Sequence, residues 1–219
     1  MVTNRTISKV FDLLREAAPK WSAPVVTQMA TLSRDPYLVL IACLLSLRTK
    51  DETTGPAARR LFALADTPEK MLTLTAAQIE KAIYPVGFYK TKAQTTLDIS
   101  RILVEHYASR VPDEIDELVK FKGVGRKTAN LVMTQGHQKL GICVDTHVHR
   151  ISNRWGYVET KAPDETEMAL RAKLPQQHWI EINDLLVAMG QTICHPTSPK
   201  CSLCPIEKYC AKIGVVRSR

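Results

Sequence analysis

Signals that start helices recur along this 219-residue chain, while the polar–apolar alternation of a half-buried strand is scarce. Thr67-Pro68 sets a capping residue ahead of a proline at the first helical position. Thr75-Ala-Ala-Gln78 has the form of a capping box, in which two side chains satisfy the amides that a helix start leaves unpaired. Asp113 and Glu114 follow Pro112, where a helix N-terminus favours negative charge. Ala162-Pro163-Asp164-Glu165 opens another helix, and Pro175 the next. Periodic apolar stretches lie between these points: Ile79 to Ile83, Leu97 to Tyr107, Leu131 to Met133 and Ile180 to Met189. Near the N-terminus Ile7, Val10, Phe11 and Leu14 fall at helical spacing, which fits a folded amphipathic helix better than a signal or transit peptide. The expectation is an all-α protein of roughly ten or more helices, without repeats or low-complexity segments.

A hydrophobic content of 45% supports a real core, enough for one large domain or two compact lobes. A formal charge of +8 suggests an anionic partner, such as nucleic acid, an acidic membrane face or an acidic protein; a solvated positive face is the plainer reading. The longest apolar run, Tyr37 to Leu47, is far too short to span a bilayer, so no membrane role is expected. Six cysteines without a secretory signal point to a reducing compartment, with thiols that bind metal or lie buried.

Three constellations carry chemistry. In Leu118-Val-Lys-Phe-Lys-Gly-Val-Gly-Arg-Lys-Thr-Ala-Asn130 a helix ends near Phe121 and another begins about Arg126, with Gly123 and Gly125 in a tight turn. Exposed amides at a helix start bind phosphate, and Lys120, Lys122, Arg126 and Lys127 add charge around them. A helix C-cap beside a chance basic cluster is the competing account. The second constellation pairs Lys127 with Asp145 in Gly-Ile-Cys-Val-Asp-Thr-His-Val-His-Arg150. A lysine attacks a sugar carbon only as the neutral amine, so desolvation or neighbouring positive charge must disfavour its ammonium form. A nearby carboxylate then accepts the proton or stabilises positive charge on the sugar. The plainer readings are a solvated lysine and a helix N-cap, and spacing alone does not bring the two side chains together.

The third constellation is Cys194-x6-Cys201-x2-Cys204-x5-Cys210. Such a set points to a metal site. Zinc ribbons usually present two Cys-x-x-Cys knuckles, and this chain has one in the set; an iron–sulfur cluster takes four thiolates equally well. Cys43 and Cys143 lie in apolar runs and are expected in the core. His147 and His149 are read as helix-surface residues or neighbours of DNA, not metal ligands.

Together these segments resemble the endonuclease III family of base-excision DNA glycosylases. The similarity runs from about Ser33 to Cys210. It includes Leu45-Ser-Leu-Arg-Thr-Lys-Asp51 and Ile83-Tyr-Pro-Val-Gly-Phe-Tyr89, in family order with the three constellations. The resemblance implies an all-α, two-lobed helix-hairpin-helix fold that binds DNA in the cleft between lobes. Residues 28–139 would form a six-helix lobe with the hairpin at about 114–137. Residues 1–27 and 140–219 would form a helical iron–sulfur lobe. It further implies a Schiff-base nucleophile at Lys127, a catalytic aspartate at Asp145, and a [4Fe–4S] cluster on Cys194, Cys201, Cys204 and Cys210. Lys200 and Lys208 become candidates for DNA contacts beside the cluster.

The implied activity is a bifunctional glycosylase and abasic-site lyase. It removes oxidised pyrimidines from damaged double-stranded DNA as a monomer, and in a prokaryote it would work in the cytoplasm at the nucleoid. The implied DNA-binding residues are Gly123, Val124, Gly125 and Arg126 in the hairpin, with Arg48 and Phe88 as wedges. Here the chain departs from the family, which usually has glutamine in place of Arg48 and often leucine in place of Phe88. The alternatives to Arg48 and Phe88 as wedges are a phosphate contact and a core ring. Rival activities are a monofunctional mismatch glycosylase and a non-catalytic DNA-binding iron–sulfur protein; the lysine and the aspartate in matching contexts favour the lyase.

Overall fold

The helix-start chemistry acts locally, as expected. Thr67 and Thr75 both cap, the latter in a complete capping box with Gln78. Asp145 caps too, accepting from the amides of His147 at 2.8 Å and Val148 at 2.9 Å. The computed structural model describes residues 1–21 and 23–219, without the side chains of Thr31 and Leu32; no strand occurs among the described residues. Pro175 differs from its expectation. It opens only a 3-10 turn, Gln176–His178, closed by His178 N donating to its carbonyl at 3.0 Å, and regular helix resumes at Glu181.

Two compact units form, one of residues 25–139 and the other of residues 1–24 and 140–219. The chain begins with α1 (Ile7–Ala17). The first unit then carries α2 (Val25–Ser33), α3 (Pro36–Ser46), α4 (Asp51–Leu64), α5 (Pro68–Leu72), α6 (Ala76–Ile83), α7 (Tyr89–His106), α8 (Ile115–Leu118) and α9 (Arg126–Leu131), the last continued by a π-helical turn, Val132–Gly136. The expected division before residue 28 would cut α2, which belongs whole to this unit. Besides the short pieces α5 and α8, of 5 and 4 residues, the described residues of this unit form six helices, the number expected.

α3 is apolar on all sides, burying Tyr37 and every residue from Val39 to Leu45, and it packs against α2, α4, α7, α9 and the π turn. It therefore serves as the axis of the unit. Its C-terminus delivers the Leu47-Arg48-Thr49 connection to the surface.

The second unit contains α1, α10 (Thr146–Arg154), α11 (Pro163–Lys173) and α12 (Glu181–Thr192). The stripe Ile7, Val10, Phe11 and Leu14 is fully buried here, in one core with Ile151, Trp155, Tyr157, Leu170 and Leu186. Cys194 and Ile206 belong to the same core, so the cysteine loop is anchored to it. Among the described residues no helix is long and apolar enough to cross a membrane.

Candidate active site and DNA interface

Sequence puts the hairpin turn between a core ring and a core valine. Phe121 (3% exposed) and Val124 (5%) are buried, and Val124 N donates to Phe121 O at 3.0 Å, closing the turn. Between them Gly123 sits at φ +81°, the left-handed region where a side chain is strained. Gly125 is the N-cap of α9 in extended conformation, and having no side chain it caps none of the first-turn amides. Arg126 is half-buried and Lys127, one residue further into the helix, is exposed. The expected desolvation of Lys127 is thus not seen in the protein alone.

Asp145 lies in the other unit and is 9% exposed. Besides its two amide contacts it accepts from His147 Nδ1, through Oδ2, at 3.0 Å. These three hydrogen bonds fix the orientation of the carboxylate. The N-cap reading of Asp145 is therefore true of it, and it does not exclude a chemical role.

The His147 ring is held against Asp145 partly by an absence. A Cβ on Gly190 of α12 would lie 2.4 Å from His147 Cδ2 and 3.1 Å from Arg150 Nη2. Gly190→Ala should therefore destabilise the chain by about 1–3 kcal/mol through overpacking. Alanine recovers ~1 kcal/mol over glycine inside a helix, so the net destabilisation expected is up to about 2 kcal/mol. A thermal melt checks the sign: a Tm above that of the unmodified chain would contradict the close approach.

On the first unit, Arg48 and Phe88 are brought together. The Arg48 guanidinium lies over the Phe88 ring, 4.8 Å from its centroid. Phe88 is 59% exposed, so it is not a core ring, and both residues have positive φ, 55° and 58°. Beneath them is a residue that the sequence reading missed. Lys92 of α7 is 8% exposed, and its ammonium donates to the carbonyls of Leu45 (2.8 Å) and Leu47 (2.6 Å) and to Thr49 Oγ1 (3.2 Å). Burial pushes this lysine down to about 8. The available signal was spacing: Lys92, Thr96, Ile99 and Leu103 follow the buried stripe of α7.

The four cysteines of the motif line one small cavity together with Arg154, Trp155, Ile193 and Lys212. Arg154 Nη1 donates to Cys194 Sγ at 3.1 Å and Lys212 N to Cys210 Sγ at 3.3 Å, the contacts that thiolates attract. Burial pushes the Cys204 thiol up to about 12, and negative charge on Cys194, Cys210 and Cys201 adds to the rise. One buried thiol and three half-buried ones around a single cavity fit a site whose charge, once the thiols ionise, is offset by bound metal. Among the described residues no three His, Cys, Asp or Glu side chains converge on a point where one ion would sit. Cys43 and Cys143 are buried away from this set.

Residues 41–176 match the family model described as HhH-GPD superfamily base excision DNA repair protein. The chain is 47% identical to Endonuclease III of Thermotoga maritima over 176 residues, 80% of this chain and 83% of the relative. The chain belongs to the endonuclease III family. A solved structure described as a non-covalent Endonuclease III–DNA complex superposes with TM-score 0.83 at 30% identity, covering 97% of each chain. A trapped Endonuclease III–DNA covalent intermediate superposes with TM-score 0.82, again at 30% identity and 97% coverage of each chain. The family's Arabidopsis thaliana members are longer, and this chain spans 56% and 48% of two of them.

Proposed function

We infer that this chain is a bifunctional DNA glycosylase and abasic-site lyase that removes oxidised pyrimidines from duplex DNA. The observation that carries the reading is Lys127 in the first turn of α9, directly after the two-glycine turn, in a member of a family with a trapped covalent DNA intermediate. A target carbon inside the helix stack is out of reach, so the damaged nucleotide must be turned out of the duplex. Oxidised, non-planar bases stack poorly, which lowers the cost of extrusion.

In the proposed reaction the neutral Lys127 amine attacks C1′ while the bond from C1′ to the base breaks and the base leaves with a proton. Loss of the second amine proton and opening of the sugar ring give the imine. Removal of a C2′ proton then breaks the bond from C3′ to its phosphate oxygen, and water hydrolyses the imine to release Lys127. Asp145 is the proposed acceptor for the amine proton. Gly123, Val124, Gly125 and Arg126 would hold a phosphate through backbone amides and positive charge, without reading sequence. Arg48 and Phe88 would fill the gap left by the extruded nucleotide.

Cys194, Cys201, Cys204 and Cys210 are the proposed ligands of a [4Fe–4S] cluster, as the family resemblance implies, and their sharing one cavity supports the reading. The cluster's contribution is to hold the 194–210 loop, with Lys200 and Lys208 turned to use on DNA. The protein acts as a monomer in this account.

A single-turnover assay on duplex DNA with one thymine glycol tests the reading. The expected products are free base and a strand cut on the 3′ side, ending in an unsaturated aldehyde. Base release that leaves the strand intact would favour a monofunctional glycosylase. Binding without either product would favour a non-catalytic DNA-binding protein.

A further inference from the structure

We propose that Lys92 is a positioning residue that holds Arg48 and Phe88 ready to enter the DNA stack. The proposal rests on the wedge role given to that pair above. An ammonium group has three N–H donors, and all three acceptors around Lys92 lie in the segment that carries Arg48. Leu45 O and Leu47 O are carbonyls at the C-terminal end of α3, which has no helical partner for them, and a buried cation there also meets the negative end of the helix dipole.

The third acceptor extends the hold to Phe88. Thr49 Oγ1 accepts from Gly87 N at 3.2 Å as well as from Lys92 Nζ, and donates to Leu47 O at 3.3 Å. Gly87 lies so close to the Arg48 connection that a Cβ would be 3.1 Å from Arg48 O. One buried cation therefore ties residues 45–49 to residues 87–88. Arg48 and Phe88 both have left-handed backbones, which residues other than glycine keep only where surrounding contacts enforce them. A methionine would fill the same volume without the cost of burying charge. The charge is explained by what it holds in place.

The test compares strand cleavage at an abasic site in duplex DNA with cleavage at an abasic site in single-stranded DNA, where no nucleotide has to leave a stack. Lys92→Met should lower the duplex rate by about tenfold or more, as misplacement of a group that prepares the substrate does, and leave the single-stranded rate unchanged. Lys92→Arg, which keeps the charge and the donors, should recover most of the duplex rate. Should Lys92→Met fail to fold, Gly87→Ala presses on Arg48 O and on Thr49 Oγ1, the acceptor that Gly87 N shares with Lys92, and the same selective loss is expected. Equal loss on both substrates, or a folded Lys92→Met chain with the normal duplex rate, would overturn the proposal and leave the lyase reading standing. An unmodified chain that cuts neither substrate would overturn both.

Discussion

Lys127→Gln is expected to abolish strand cleavage and to leave duplex binding nearly intact. No other group in the account forms the bond to C1′, so the expected loss is on the order of 10³-fold or more, as for removal of a covalent nucleophile. Glutamine is a good helix former of similar length, and Lys127 is exposed, so the stability change should stay within about 0.5 kcal/mol. At most one phosphate contact disappears. The salt dependence of binding should therefore change by about one unit of slope, with affinity falling modestly. Fluorescence anisotropy and gel cleavage on the same abasic duplex make the comparison. Parallel loss of affinity and cleavage would mean that Lys127 grips DNA and does not react with it.

Cys204→Ser carries the second large effect. The stretch 194–210 has only two 3-10 turns of regular structure, Cys201–Leu203 and Glu207–Tyr209, and few of its side chains besides Ile206 and Cys194 are buried in the core. Arg150 and Arg154 of α10 hold its first residues through the carbonyls of Cys194, His195 and Pro196, and whatever joins the four thiols supplies the link across the rest. Binding free energy of a metal group whose site is absent in the unfolded chain is folding free energy. Removing one ligand should then lower Tm by about 10 °C or more, together with loss of iron and of visible absorption. A variant that keeps its full Tm after losing iron would show that the loop is held by protein contacts alone.

Much of the fold was legible because its signals are short-range. Thr67, Thr75 and Asp145 cap helices through atoms two or three residues away, and the stripe Ile7, Val10, Phe11 and Leu14 buries as its spacing predicts. The hairpin is similarly local, with Gly123 at positive φ between the buried Phe121 and Val124. Pro175 misled in one respect: proline fixes φ at a helix start but does not decide whether the next turn is α or 3-10. What was not legible depends on distant partners. The acceptors of Lys92 lie more than forty residues away, on α3 and the connection after it. Gly190 matters because His147 packs on α12 from another helix. The stacking of Arg48 on Phe88 joins two loops whose only sequence signal was a departure from a family pattern. The cysteine spacing announced a metal site, whereas the choice of an iron–sulfur cluster came from the family resemblance.

Borohydride reduction of the chain on an abasic-site duplex, followed by mapping of the trapped residue by mass spectrometry, tests the central claim most directly. A covalent adduct on the peptide that contains Lys127 is expected, and none in Lys127→Gln. An adduct on another lysine or on the N-terminal amine, or no adduct from protein with its iron intact, would contradict it.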